Sequence, residues 1–163
     1  MKEITCCFTG CRPQSLPWGY NEKDIKCKAL KEKLKAEIIK AAESGYTHFI
    51  SGMAQGVDTY CAEIVLEMKK NRGIFLEAAV PCETQADKWT DKEKQRYKKI
   101  LSKADTVTVL SKNHTPYCMH MRNAYMVDKS SLVIAVWGGG DGGTQNTINY
   151  AVKNGVNITV INP

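Results

Sequence analysis

The chain has 163 residues, of which 43% are hydrophobic and 25% charged, the size and composition of one soluble globular domain. It begins without a cleavable signal pattern, and no apolar stretch approaches the roughly 18 residues that a membrane span requires. The seven cysteines are an odd number without CxxC pairs, which favours reduced thiols. We therefore expect a single domain over residues 1–163, in the cytoplasm and without a membrane partner.

The net charge of +6 does not by itself indicate a nucleic-acid partner. Most lysines lie in residues 23–40 and 88–103, where they alternate with glutamates. A stripe for nucleic acid would cluster its cations with few acids between them. We therefore interpret both runs as solvated helix faces.

Short β-branched runs alternate with longer segments of helical period, which predicts βα units around a parallel sheet. The predicted strands are residues 4–9, 47–51, 75–81, 106–111, 132–137 and 156–162. The pattern predicts an α/β fold: a Rossmann-like, three-layer α/β/α arrangement with a mainly parallel sheet of about six strands.

Five helices are predicted between these strands. The first runs from about Glu22 to Ser44, because its apolar residues recur at intervals of three and four. Local signals predict the other four. The second begins at the N-cap Asp58 and ends at Gly73, and Thr90 with Glu93 forms a capping box at the start of the third. The fourth begins at Thr115 and Pro116 and runs to about Ser130, and the fifth begins at Thr144 and buries Ile148, Ala151 and Val152.

Three loops that follow predicted strands carry the candidate ligand-binding residues, because ligands of open parallel sheets bind outside the carboxyl ends of the strands. Glycines before a helix start let a phosphate approach its unpaired N–H groups. The loop candidates are Thr9, Gly10 and Arg12 after the first strand, Ser51, Gly52, Gly56 and Asp58 after the second, and Gly139, Gly140, Gly142, Gly143, Thr144 and Asn146 after the fifth.

Arg122, in the fourth predicted helix, completes the set of candidates. Its charge suits a phosphate or carboxylate partner, with a surface salt bridge as the alternative. Arg12 has the alternative of pinning its loop, and Asp58 is either a helix cap or a partner for a ribose or base. His114, Cys118 and His120 straddle a helix start without a shared face, so no metal site is predicted, and the fingerprint GxGxxG of dinucleotide dehydrogenases is absent.

The motifs of these loops resemble the SLOG superfamily, which joins the DNA-processing protein DprA to the "lonely guy" (LOG) cytokinin-activating enzymes, and within it the YpsA-like family of small bacterial proteins. The stretch from Thr9 to Pro13 is similar to a TGxRP start, residues 143–151 to GTxNTxxYA, residues 51–58 to the SGxAxGxD loop of DprA, and residues 119–126 to the MHxRxxxM of LOG enzymes. The resemblance covers the whole chain in order. It implies a Rossmann-like fold, a nucleotide pocket and association of copies through helices that flank the pocket.

One departure from the LOG pattern bears on catalysis. LOG enzymes carry a glutamate shortly after the GT that helps to cleave the N-glycosidic bond of a nucleoside monophosphate, whereas this chain has Asn146, Thr147 and Ile148 there. None of these side chains can stabilise a positively charged transition state or activate water as a carboxylate would. We therefore assign no catalytic residue, which favours a protein without enzymatic activity. No cofactor is predicted.

Three functions remain under comparison. The first is binding of a nucleotide or nucleotide-derived small molecule, as a sensor or regulator. The second is an N-glycosidase of the phosphoribohydrolase type with a relocated carboxylate, for which Asp58, Glu83 and Asp141 are candidates. The third, ranked last, is single-stranded DNA binding of the DprA kind, with Trp18, Tyr20 and Trp89 as stacking aromatics.

Overall fold

The computed structural model describes residues 1–163 and has a six-stranded sheet at its centre. Its strands are β1 (Thr5–Thr9), β2 (His48–Ser51), β3 (Phe75–Val80), β4 (Thr106–Val109), β5 (Leu132–Val136) and β6 (Asn157–Ile161). Its helices are α1 (Ile25–Glu43), α2 (Val57–Met68), α3 (Asp91–Lys103), α4 (Cys118–Asp128) and α5 (Gly143–Lys153). The predicted Rossmann-like α/β fold is confirmed, with every strand within two residues of its expected ends.

All neighbouring strands are parallel, in the order β4-β3-β2-β1-β5-β6. The chain moves outward from β1 to β4 and then returns to the other side of β1, where β5 pairs with it up to Thr9 and Ala135. The strand order therefore reverses between β1 and β5. In such sheets the crevice outside the carboxyl ends at the reversal is the usual place for a ligand.

Helices cover both faces of the sheet, and alternate strand residues point to the two layers. Cys6 and Phe8 belong to the larger buried cluster with α1, α2 and α3, whereas Cys7 belongs to the smaller one with α4 and α5. The apolar stripe of α1 is buried as predicted, with Leu34 and Ile38 fully inaccessible. These two layers hold the strand ends, and hence the loops, in fixed positions.

Four local expectations were wrong. Gly56 is the N-cap of α2, so Asp58 lies inside the helix, and α2 ends at Met68, before Gly73. Helix α4 begins at Cys118 because Thr115 and Pro116 form a turn, in which the amide of Cys118 donates to the carbonyl of Thr115. Val152 of α5 is 65% exposed, while Thr147 takes the buried place.

No helix combines the length and the apolar composition that crossing a bilayer would require.

Candidate functional site

The loops after β1 and β2 touch each other through two glycines. A Cβ on Gly10 would lie 2.6 Å from Cγ1 of Val57, and one on Gly56 would lie 2.6 Å from the carbonyl oxygen of Cys11. Gly56 also has a φ of +87°, which side chains rarely adopt. The amide of Val57 donates to the same Cys11 carbonyl at 3.2 Å. Only glycine at both positions lets the two loops approach so closely.

Hydrogen bonds within residues 51–59 hold the second loop in one shape. Ser51 Oγ donates to the carbonyl of Asp58 at 2.8 Å and accepts from the amide of Met53 at 3.2 Å. Asp58 Oδ2 accepts from the amide of Ala54 at 3.2 Å. Met53, whose side chain is fully buried, is the one non-glycine residue with a positive φ, 59°. A conformation that costs energy persists only where its surroundings determine it, and such sites cluster where ligands bind.

Arg122 of α4 lies against this second loop rather than in the open. The side chain is buried, with 4% of its surface exposed. Nη1 donates to the carbonyl of Gly52, and Nε donates to Oδ1 of Asn123 at 2.8 Å. A Cβ on Gly52 would lie 2.6 Å from Nη1. The guanidinium therefore packs flat against Gly52 and holds the second loop in place from the side of α4.

Asp58 and Arg122 are both buried and influence each other without forming an ion pair. Burial raises the pKa of Asp58, and the positive charge of Arg122 opposes this rise. Burial likewise lowers the pKa of Arg122, and the charge of Asp58 opposes that change. The ion pairs of the structure involve other residues. The two charges thus offset part of each other's cost of burial.

Arg12 is the second arginine of the site, and it is exposed. Its Nη2 lies 3.7 Å from the sulfur of Met119, which is also 3.7 Å from Nη2 of Arg122. No carboxylate lies within ion-pair distance of Arg12. Of the two arginines selected from the sequence, Arg12 is therefore the one with a guanidinium free to meet an anion.

The third loop, between β5 and α5, starts from the strand beside β1 at the same edge of the sheet. Gly139, Gly140 and Gly142 have φ values of 99°, 98° and 137°, and no side chain caps α5. The first N–H groups of a helix have no partner within it, so the start of α5 at Gly143 offers free donors to solvent. No hydrogen bond joins this loop to the other two. The three loops share an edge, but only the first two form one unit.

A polar cleft of about 1170 Å³ opens beside Arg12, between the first two loops and the start of α3. Besides Arg12, the residues that line it include Tyr20, Gln55, Gln85, Lys88, Trp89 and Lys92. The sequence analysis assigned the lysines of residues 88–103 to a solvated helix face, and it therefore missed Lys88 and Lys92 as residues of the cleft. Lys88 and Lys92 stand beside Trp89 at the start of the third predicted helix, and this pairing of lysines with a tryptophan was the available signal for a binding surface.

The aromatic and acidic candidates are dispersed. Trp18 is buried and donates to the hydroxyl of Tyr60 at 3.1 Å, so it takes part in the core, while Tyr20 and Trp89 line the cleft. Glu83 and Asp141 are exposed, on the loops after β3 and β5. Asp58, which the second loop uses for its own backbone, is the one candidate carboxylate within the loop unit.

Comparisons with known proteins agree with this architecture. The chain is 33% identical over 141 residues to the SPbeta prophage-derived protein YoqJ of Bacillus subtilis (strain 168), covering 76% of this chain and 81% of that protein. Its fold is similar to DprA from Streptococcus pneumoniae (TM-score 0.66, 17% identity, 98% of this chain and 50% of that one). It is also similar to DprA from Helicobacter pylori, whose structure describes a single-stranded DNA binding mode (TM-score 0.65, 15% identity, 98% and 65%).

The family assignment rests on nearly the full length of the chain. The YpsA family model, for the YspA SLOG family, matches residues 6–163. That range contains all six strands except the first residue of β1, and all three glycine-bearing loops. The chain belongs to the YspA SLOG family.

Proposed function

We propose that this protein binds a nucleotide or a nucleotide-derived phosphate compound at the carboxyl edge of its sheet, as a sensor or regulator. The supporting observation is the uncapped glycine start of α5, which stands beside β1 at the edge where the loops after β1 and β2 are clamped together. Free N–H groups and the positive end of the helix dipole favour a phosphate there. Exposed Arg12 adds a fixed positive charge to the same edge.

The residues at the place of the LOG glutamate, and the environment of Asp58, support binding over N-glycosidic cleavage. Asn146 of α5 is exposed and uncharged, Thr147 is buried, and the Thr147 hydroxyl donates to the carbonyl of Gly143 at 2.9 Å. Asp58 is 7% exposed, and its Oδ2 accepts from the loop backbone. A general acid or nucleophile needs a carboxylate that reaches the substrate. We therefore expect negligible release of free base from nucleoside monophosphates.

A thermal-shift screen tests the proposal. The ligands are nucleoside mono-, di- and triphosphates, ADP-ribose, NAD and short oligonucleotides. A ligand that binds only the folded state stabilises it by about 2.7 kcal/mol at 100 times its Kd, so binding raises the melting temperature. A rise in melting temperature with a nucleotide supports the proposal. If millimolar concentrations of every nucleotide left the melting temperature unchanged, the proposal would be wrong.

Gly143→Asp tests the start of α5, and Gly143→Asn is its matched control. A Cβ on Gly143 would meet no atom within 4 Å, so both variants should fold. The aspartate charge stabilises a helix start by about 0.3–1 kcal/mol but repels a bound phosphate. We expect Gly143→Asp to keep or raise the melting temperature of the free protein while losing the ligand-induced shift, which Gly143→Asn retains. An undiminished shift in the aspartate variant would remove α5 from the site.

A further inference from the structure

The polar cleft beside Arg12 is larger than a mononucleotide requires. Pockets for drug-sized ligands measure about 300–1000 Å³, and this cleft measures about 1170 Å³. Arg12 lines the cleft and lies two residues after Gly10 of the first loop, so the cleft borders the unit that the first two loops form. A ligand held at the glycine loops has room to continue past Arg12.

The charges of the cleft are unequal in a way that favours an anion. Its six cations are Arg12, Lys23, Lys88, Lys92, Arg96 and Lys99, and its carboxylates are Glu22, Glu63 and Glu93. Arg96 pairs with Glu22 and with Glu63, each at 2.5 Å, and Lys31, from outside the cleft, pairs with Glu22 at 2.7 Å, so two positive and two negative charges cancel. The other five cations have no ion-pair partner and face one unpaired carboxylate, Glu93. The paired residues form a neutral wall, and the remaining cations give the cleft a positive potential.

The cleft also has groups that suit a nucleobase. Trp89 lines it, and its ring is fixed edge-on against Tyr97 with centroids 5.2 Å apart. An aromatic face is a stacking surface for any base. Gln85 donates to the carbonyl of Met53 at 3.3 Å, while its buried Oε1 has no hydrogen-bond donor. Trp89 therefore gives the cleft a surface for a base, while Gln85 ties the wall of the cleft to the loop after β2.

We propose that the cleft continues the glycine-loop site and that the ligand is a nucleotide with more than one phosphate, whose phosphate chain passes Arg12 toward Lys88 and Lys92. This inference rests on the proposed function and specifies its ligand class. In it, Arg12 contacts the phosphate chain, and Arg122 is a positioning residue that acts through Gly52. A single phosphate would occupy the glycine loops and leave the cations of the cleft unused.

Calorimetric titration with AMP and with ATP tests the number of phosphates. We expect ATP to bind at least about tenfold more tightly than AMP. Lys88→Ala/Lys92→Ala should abolish most of this advantage, and it should change the affinity for AMP less than about threefold. The double variant should fold, because both lysines are exposed and make no ion pair. The matched control is Lys98→Ala/Lys103→Ala, which removes the same charge from exposed positions of α3 outside this cleft and should leave the ratio unchanged.

The other outcomes separate the inference from the proposed function. Equal affinities for AMP and ATP, or an ATP affinity that ignores Lys88→Ala/Lys92→Ala, overturn the inference, while a loss of AMP binding in Gly143→Asp still upholds the glycine-loop site. If neither AMP nor ATP binds, the inference fails, and if no nucleotide of the thermal-shift screen binds either, the proposed function fails with it. A twelve-residue oligothymidine that binds more tightly than ATP, and more tightly than a four-residue one, would mark the cleft as a single-stranded nucleic-acid groove and overturn the small-ligand proposal.

Discussion

Replacing Arg122 with alanine is expected to destabilise the fold, because its guanidinium works inside the protein. The change leaves the buried carbonyl of Gly52 without its donor, which costs about 1–3 kcal/mol, and it empties the space that the guanidinium fills against Gly52. With the lost packing, we expect a loss of about 2–4 kcal/mol in the free energy of unfolding. At 3 kcal/mol this lowers the melting temperature by roughly 6–12 °C for a chain of this size.

Urea denaturation measures this loss, and Arg12→Ala is the control. Arg12 is exposed and without an ion pair, so its removal should change the free energy of unfolding by less than about 0.5 kcal/mol while weakening ATP binding. An Arg122→Ala protein as stable as the wild type would refute the supporting role of the guanidinium. Loss of binding without loss of stability would make Arg122 a direct ligand contact.

The pH dependence of the stability lost in Arg122→Ala tests whether Arg122 offsets the cost of burying the charge of Asp58. Because burial raises the pKa of Asp58 in the folded state, its contribution to stability is fully present below the ordinary pKa and is lost as the pH rises through the raised value. Without the opposing charge of Arg122 the pKa rises further, so the carboxylate is costlier at neutral pH. The stability difference between wild type and Arg122→Ala should therefore shrink as the pH falls below about 4. A difference independent of pH would exclude Asp58.

Two further variants test the loop contact and the wall of the cleft. Gly56→Ala combines a φ of +87° with a Cβ 2.6 Å from the carbonyl oxygen of Cys11. We expect it to lower the free energy of unfolding, measured by urea denaturation, by at least about 2 kcal/mol. The control is Gly73→Ala, which lies in open space without a positive φ and should change the free energy of unfolding by less than about 1 kcal/mol. Burial raises the pKa of Glu22, but hydrogen bonds from Arg96 and Lys31 outweigh it and lower the pKa to about 2. The stability from this carboxylate is present above its ordinary pKa and is lost as the pH falls toward 2. Glu22→Gln should flatten the acid limb of the stability profile, and an unchanged limb would contradict the paired wall.

The sequence by itself determined the order of the elements and the edge at which the loops lie. Short β-branched runs and apolar residues at helical intervals depend on neighbours within a few residues, so the six strands and the buried stripe of α1 were predictable. The glycines at positions 10 and 56 were recognisable as unusual, and parallel strands place the loops that follow them at one edge. The family resemblance, carried by the same loops, was confirmed over residues 6–163.

Only the tertiary structure decided which side chains meet. Arg12 and Arg122 have the same chemistry, but one is exposed and the other is 4% exposed beneath Gly52, a difference set by how α4 packs on the loop after β2. The cleft is assembled from residues more than 60 positions apart, such as Arg12 and Trp89. Periodicity records which face of an element is apolar, whereas a site depends on which elements the completed sheet brings side by side.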